Sequence, residues 1–430
     1  MYDAIVIGAR VAGSPTAMLL ARKGFKVLLV DRTSFPSDTL STHLIQLKGV
    51  AALKRWGLLQ SVLDSNCPPM SRLAFHQDRF NLQGNYLPLE NSDAVICPRR
   101  TVLDKILADA AVEAGAELRQ DLIVEELLND AGTVTGIRSR MKDGGKAVAD
   151  SARLVIGADG KHSLVARAVH AKEYHSHASQ TCAYYTYWEG VPLEMGELYT
   201  LPGAMAGFWP TNDGQIIIFT GYPVAEFDSI RHDVEGHFWK TMQPIPGMMD
   251  KLRSGRRASR FLGTADLPFF YRRPYGSGWA LVGDAGMTID PVTGQGIGHA
   301  FRDAERLAEA VEAGFSGRMP MAKAMSMYEQ ERNAETLPMY EFTRQVASFE
   351  PMSLQQEVLF TALENKPKER ERFFGMITGS VSVKEFFSAR SLFRMLGMRG
   401  MGRIILGHKR KPSPAVSVTP APKFDVDRIL

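Results

Sequence analysis

Residues 3–32 read DAIVIGARVAGSPTAMLLARKGFKVLLVDR, and this stretch decides the fold class. Residues 4–7 are a short apolar run rich in β-branched side chains, as a buried strand requires. Gly8 and Gly13 bracket a tight turn. Ser14-Pro15 suits a helix start, because the first helical turn has no use for the N–H that Pro lacks. Ala17, Met18 and Ala21 give the helix a sheet-facing side, and Gly24 ends it. Val27–Val30 is a second buried strand, with Asp31 at its C-terminal end, 18 residues past Gly13. Strand, glycine turn, helix and acid-tipped strand form a βαβ dinucleotide fingerprint, with pyrophosphate over a helix N-terminus and a carboxylate on ribose hydroxyls. Arg10 stands where the Gly-x-Gly-x-x-Gly pattern has its middle glycine. A side chain there turns outward or itself contacts phosphate, which suits a guanidinium. Ala12 in the turn and Arg32 beside the acid complete this set of candidate contacts.

The 430 residues allow two domains, or one large domain carrying an insertion. Hydrophobic content of 45% and charged content of 23% are those of a globular protein, and a net charge of +4 is too small to imply nucleic acid. Cys67, Cys97 and Cys182 form no CxxC pair, which argues against a zinc site or disulfide framework and fits a reducing cytoplasm. The first strand begins at residue 4 and leaves no room for a signal peptide. No apolar run approaches the roughly 20 residues that span a bilayer. His162, His170, His175 and His177 fit no zinc spacing, so no metal is expected.

Further along, Leu44, Leu47, Val50, Ala51 and Leu53 predict a helix that ends near Trp56-Gly57. Leu103, Ile106, Leu107 and Ala110 predict another, stopped by Gly115. Residues 117–126 and 133–140 read as paired strands around Asn129-Asp130-Ala131-Gly132. Residues 176–263 are rich in aromatics and turn residues, which predicts a mostly antiparallel sheet inserted into the nucleotide domain. Tyr184, Tyr185, Tyr187 and Trp188 would line a pocket or pack a sheet core, with alternation sending half to each face. Phe301, Ala304, Leu307, Ala308 and Val311 share one face of a helix at 300–314. Residues 321–390 are helix-rich, and Pro412, Pro414, Pro420 and Pro422 mark a flexible tail.

Two more glycine–acid clusters share the fingerprint's chemistry. In 154–167, LVIGADGKHSLVAR, a strand ends in a turn holding Asp159. In 279–304, WALVGDAGMTIDPVTGQGIGHAFRDA, a strand delivers Gly283-Asp284, and Gly294-Gln295-Gly296 opens a helix after Asp290-Pro291. Glycines leading into a helix N-terminus expose N–H groups to an anion.

These segments, with Arg100-x-x-Leu103-Asp104, resemble the FAD-dependent monooxygenases of the aromatic-hydroxylase type and their geranylgeranyl-reductase-like relatives over residues 1–320. The resemblance implies an α/β fold. An FAD-binding Rossmann-like domain (1–72, 96–175 and 264–320) would carry an inserted, mostly antiparallel substrate domain (73–95 and 176–263). A helical C-terminal region (321–407) and the tail (408–430) would follow. It implies that Gly8, Gly13 and Asp31 hold the ADP half of FAD and that Arg100 lies by its phosphates. Asp159 would serve FAD and the path of NAD(P)H, and Asp284 the ribityl chain and pyrophosphate. Pro291, Gly294, Gln295, Gly296 and Ile297 would lie beside the isoalloxazine. His43 would either touch the flavin edge or substrate, or cap a helix. The chain departs from the family pattern at Arg10, at Gly298, where an Asn is common, and at Arg167, one residue off the usual arginine. No second fingerprint offers a separate NAD(P)H domain, and the halogenase-type Trp-x-Trp-x-Ile-Pro motif is absent.

The activity so implied is hydroxylation or epoxidation of a small apolar or aromatic metabolite, with NAD(P)H as reductant and molecular oxygen adding at flavin C4a. An alkene reductase and a non-catalytic flavin-binding protein are the alternatives. Residues 391–411 hold six cations and no acid, which would suit a membrane surface or an acidic partner. Gly397, Gly400, Gly402 and Gly407 are expected to break any continuous helix there, making it a packed or frayed end.

Overall fold

The computed structural model describes residues 1–407, with side chains through Met398. The stretch read as a flexible tail, 408–430, lies outside the described residues. The first strand, Tyr2–Ile7, pairs in parallel with Val27–Val30 on one side and Val148–Gly157 on the other. Glu117–Arg119 extends the sheet beyond the second strand, and Trp279–Leu281 and Tyr275–Gly276 extend it beyond Val148–Gly157. Because side chains alternate, Ala4 and Val6 pack one face with Met18, Leu103 and Phe301. Ile5 and Ile7 pack the other with Val124, Ile137 and Val165. Both faces are covered, so the strand sequences are apolar throughout.

The second large sheet is antiparallel except where Gly196–Leu201 runs parallel to Arg72–Gln77. Its long strands are Thr181–Glu189 and Gln215–Pro223, in register from Thr181↔Pro223 to Glu189↔Gln215. Tyr185, Tyr187, Trp209 and Phe219 face one core. Trp188, Phe208, Ile216 and Ile218 face another, built with Phe238, Met242 and Leu252. The latter come from Val234–Met242 and Met248–Ser254, helices in a region the sequence reads as sheet. At nine and seven residues they are too short to show a helical period, and they exist because the sheet's second face needs a cover.

Two other elements differ from expectation. The helix expected from Leu44 begins at Leu47, because Ile45 bridges Ile96. Glu117–Arg119 belongs to the central sheet, and the hairpin is Leu122–Asp130 with Thr133–Met141, turned by Ala131 and Gly132 at positive φ.

The C-terminal helices begin with Met321–Ala347 and Leu354–Asn365, the latter with a Ser353/Gln356 capping box. Pro367–Thr378, Val383–Phe386 and Ala389–Gly407 follow. Phe360 and Phe373 pack on Phe75, with ring centroids 5.8 and 5.9 Å away, so these helices close the apolar face of the second sheet. The last helix is broken at Gly397, where φ is 63°, and Gly400 and Gly402 do not interrupt it.

Gly13 carries the tightest approach in the fingerprint turn. A Cβ there would lie 1.7 Å from the Gly8 carbonyl oxygen, whereas at Gly24 it would meet nothing within 4 Å. Gly13→Ala is expected to cost at least about 3 kcal/mol through forced backbone shifts, and Gly24→Ala, strained only by its φ of +85°, about 1 kcal/mol. Chemical denaturation of both variants checks the ranking.

Candidate functional site

Four adjacent parallel strands end at one edge of the central sheet, and each delivers a turn there. Past Tyr2–Ile7 come Gly8 to Gly13, past Val27–Val30 comes Asp31, past Val148–Gly157 comes Asp159, and past Trp279–Leu281 come Gly283 and Asp284. Backbone pairing continues beyond the strands: Gly8 N–H donates to Val30 O at 2.8 Å, Ala158 N–H to Ile7 O at 2.8 Å, and Val282 N–H to Gly157 O at 3.0 Å. A Cβ on Gly8 would lie 2.5 Å from Ala158 O, and one on Gly283 would lie 2.7 Å from Ala12 Cβ. Three distant glycine turns therefore touch where a glycine leaves room for its neighbour. An open α/β sheet takes its ligands at such a carboxyl edge.

Asp31 is buried and already oriented. Its Oδ2 accepts Ala9 N–H at 2.7 Å, and Oδ1 accepts the Thr33 N–H at 2.9 Å and hydroxyl at 2.8 Å. A carboxylate has about four acceptor sites, so capacity for one more donor remains. Arg32 is exposed.

Arg10 turns away from the glycine turn. Its Nη1 pairs with Asp104 at 2.7 Å, and its Nη2 donates to Ser37 Oγ at 2.9 Å. Arg100, one helical turn before Asp104, binds the same carboxylate through Nε at 3.0 Å and Nη2 at 3.1 Å. Asp104 is fully buried and holds both guanidinium groups beside the turn. An anion over the turn would meet two cations that share one counter-charge.

Asp159 Oδ2 accepts Leu164 N–H at 2.6 Å, while its Oδ1 is buried with no hydrogen-bond partner among the described residues. Burial raises this carboxyl above its ordinary value. Asp284 remains open to solvent although protein surrounds it, as at the floor of a cleft. That surrounding pushes its carboxyl up to about 6, with the Arg100 and Lys161 charges pulling the other way.

The helix Gly296–Phe315 starts beyond Gly294, whose φ is +64°. Gln295 is buried, and its Nε2 donates to Thr293 O at 2.9 Å and Ile377 O at 2.8 Å. Ile297 packs into the core, and the space beside Gly296 is open for 4 Å. Asp290 ties this segment to the second sheet. Its Oδ2 accepts the Thr181 hydroxyl at 2.5 Å and its Oδ1 the Val292 N–H at 3.0 Å. Burial holds its carboxyl up at about 6.

His43 does not cap a helix. It lies fully buried at φ +64°, with Nδ1 2.6 Å from Ser41 O and Nε2 2.7 Å from the Tyr187 hydroxyl. A carbonyl only accepts, so Nδ1 carries the proton and Nε2 accepts from Tyr187. Burial, and then the Arg100 charge, hold the imidazole down to about 3, so it is neutral. The Arg99 guanidinium sits 4.6 Å over the Tyr187 ring.

Thr42 and Leu44, the neighbours of His43, line a cavity of about 1470 Å³ together with Pro291, Val292, Thr293 and Gly294. The second sheet contributes Phe75, Met205, Trp209 and Phe219, and the C-terminal helices contribute Phe360, Phe373 and Leu392. None of Tyr184, Tyr185, Tyr187 and Trp188 is among its lining residues. The Asp104 bridge, the His43–Tyr187 pair and the helical side of the cavity were not legible in the sequence. Only the i, i+4 spacing of Arg100 and Asp104 carried a readable signal.

Asp104→Ala leaves two guanidinium groups without a counter-charge and is expected to cost about 3–5 kcal/mol, read by denaturant titration. Asp290 titrates near 6 when folded and near 3.8 when unfolded. Its contribution to stability is therefore full below about pH 4 and lost as pH rises through about 6. Relative to Asp290→Asn, the parent should lose ~2–3 kcal/mol between pH 4 and pH 7. Parallel stability curves for the two proteins over that range would refute the assignment.

Residues 1–231 match the family model described as FAD binding domain. Digeranylgeranylglycerophospholipid reductase 1 of Methanopyrus kandleri is 24% identical over 400 residues, covering 87% of this chain and 98% of that protein. Kynurenine 3-monooxygenase of Salinispora arenicola is 26% identical, covering 77% and 76%. Among solved structures, the probable FAD-dependent monooxygenase PqsL of Pseudomonas aeruginosa superposes with a TM-score of 0.67 at 21% identity, covering 87% of this chain and 99% of that one. The flavin-dependent brominase Bmp2 superposes at 0.77 with 18% identity, covering 95% and 100%. The glycine cradle at the sheet edge, the unpaired Asp159 oxygen and the open helix N-terminus fit such a cofactor, and the chain belongs to the FAD binding domain family of flavin-dependent oxidoreductases.

Proposed function

We propose that the protein is an NAD(P)H-dependent, cytoplasmic monooxygenase that hydroxylates or epoxidises an apolar substrate. The observation that carries this is the apolar cavity of about 1470 Å³ meeting the Thr42–Leu44 and Pro291–Gly294 segments, where the sheet edge would present a flavin ring. When bound, FAD supplies the two-electron reduction and the activation of oxygen. The chain's own residues do the rest. Asp31 would accept a ribose hydroxyl at its remaining site, and the Arg10 and Arg100 guanidinium groups held on Asp104 would supply positive charge for the phosphates. The N–H groups that open Gly296–Phe315 would be free to stabilise negative charge on the bound cofactor. Phe75, Trp209, Phe219 and Phe360 orient the substrate and keep water away from the reacting centre. The neutral His43 accepts from Tyr187 and fixes the Ser41–Leu44 backbone beside the cavity.

Reduction of an alkene by hydride transfer is the second reading, favoured by the cavity's size. Small-molecule pockets commonly hold about 300–1,000 Å³, so this one admits a substrate longer than a single ring. Fold alone does not separate the two chemistries.

The purified protein should be yellow with FAD bound, and Asp31→Ala should retain FAD at least about tenfold more weakly, since a charge-assisted hydrogen bond contributes ~1.5–3 kcal/mol. Colourless protein that also fails to bind added FAD would sink this assignment. Turnover under isotopic oxygen gas should label the product and should stop without air. An unlabelled product that forms equally well anaerobically and gains two hydrogens would make the protein a reductase. A flavin that no NAD(P)H reduces would leave it a binding protein.

A further inference from the structure

The helix Met321–Ala347 brings a single cation to the large cavity. The charged residues among those described that line it are Asp78, Glu341, Arg344 and Glu350. Asp78 and Glu350 are exposed, whereas Arg344 is only 6% exposed. A buried guanidinium is costly unless its N–H groups find acceptors. Glu341, one helical turn earlier, accepts from Nη1 at 2.9 Å and is the only carboxylate paired with Arg344 among the described residues. Nε is buried with no hydrogen-bond partner among them, and Nη1 is the only nitrogen of this side chain that has one. Glu341 is 29% exposed, so solvent screens the pair and the guanidinium charge is incompletely offset.

The cation belongs to the end of the cavity that meets the sheet edge. Thr343, the residue before it, is buried with its hydroxyl 2.7 Å from the Thr293 hydroxyl. Thr293 lies in the Pro291–Gly294 segment, and both Thr293 and Arg344 line the cavity. The Nε and Nη2 N–H groups of a guanidinium run parallel along one edge, with the spacing of the two oxygens of a carboxylate. That is the edge Glu341 leaves unused. A hydroxyl or carbonyl oxygen would meet only one of the two N–H groups. A phosphate dianion would set two charges against a cation that Glu341 already shares. Met205, Trp209, Phe219, Phe360 and Phe373 make much of the remaining lining apolar, so the rest of the ligand has to be apolar too.

We propose that Arg344 binds a carboxylate on the substrate, which makes the substrate an apolar acid held by its charged end near the Pro291–Gly294 segment. This rests on the cavity being the substrate site of the function proposed above, and not on which flavin chemistry follows.

The test is equilibrium dialysis of labelled decanoate or decan-1-ol against the FAD-loaded, full-length protein. Decanoate is expected to bind at least about tenfold more tightly than the alcohol, as a charge-assisted hydrogen bond allows. Arg344→Gln should lose that preference and leave the affinity for decan-1-ol unchanged, with FAD content and far-UV circular dichroism as in the parent. A merely structural role would weaken both ligands alike. Arg344→Lys, a point charge without the fork, should fall between parent and Arg344→Gln. Glu341→Gln removes the competing carboxylate and should bind decanoate at least as tightly as the parent. Equal affinity for acid and alcohol, binding of neither, undiminished decanoate binding by Arg344→Gln, or weaker binding by Glu341→Gln would overturn the proposal. Should Arg344→Gln not fold, Glu341→Gln and the comparison of acid with alcohol on the parent decide. No oxygen or turnover is needed. Arg344-dependent decanoate binding with a product that carries no oxygen label keeps the acid site and loses the monooxygenase reading, and a labelled product from a neutral substrate without decanoate binding does the reverse.

Discussion

The close contact of three glycine turns at one edge of the central sheet is the constraint on which the remaining structure depends. Gly8 lies so near the Ala158 carbonyl, and Gly13 so near the Gly8 carbonyl, that no side chain fits at either. This packing requires Tyr2–Ile7 to sit between Val27–Val30 and Val148–Gly157, all parallel. Parallel pairing in turn requires long crossovers, which become the helices and the inserted second sheet. A dinucleotide site and a two-sheet architecture thus follow from one packing requirement.

Charge around the edge is arranged so that cations are held yet incompletely neutralised. Asp104 is fully buried and bridges Arg10 and Arg100, so both guanidinium groups are positioned before any anion arrives. A buried carboxylate with two cations is stable only when every member is paired. The replacement of the middle fingerprint glycine by Arg10 therefore makes sense in three dimensions. The side chain leaves the turn free for close approach and adds a second cation at its rim.

The apolar cavity belongs to no single element. The second sheet supplies its aromatic floor, the segment after Asp290 one wall, and the C-terminal helices the other. Asp290 links two of these parts through Thr181, and the Phe75, Phe360 and Phe373 rings link the sheet to the helices.

Local chemistry made the first βαβ unit legible from sequence. An apolar run, a glycine turn, Pro15 in a first helical turn and an acid at a strand end each act within a few residues, and the second strand lies where its apolar run places it, at Val27–Val30. The other glycine–acid turns were legible for the same reason. The sequence could not determine that Gly283 would meet Ala12, or that Asp104 would serve Arg10 from 94 residues away, because those contacts depend on strand order. The short helices 234–254 were hidden, since nine residues hold too few turns for a period and form only to cover Trp188 and Phe208. His43 marks the same boundary. Sequence offered a helix cap or a cofactor contact; the helix starts only at Leu47, and the fold buries His43 against Tyr187, 144 residues away, where loss of solvent keeps it neutral.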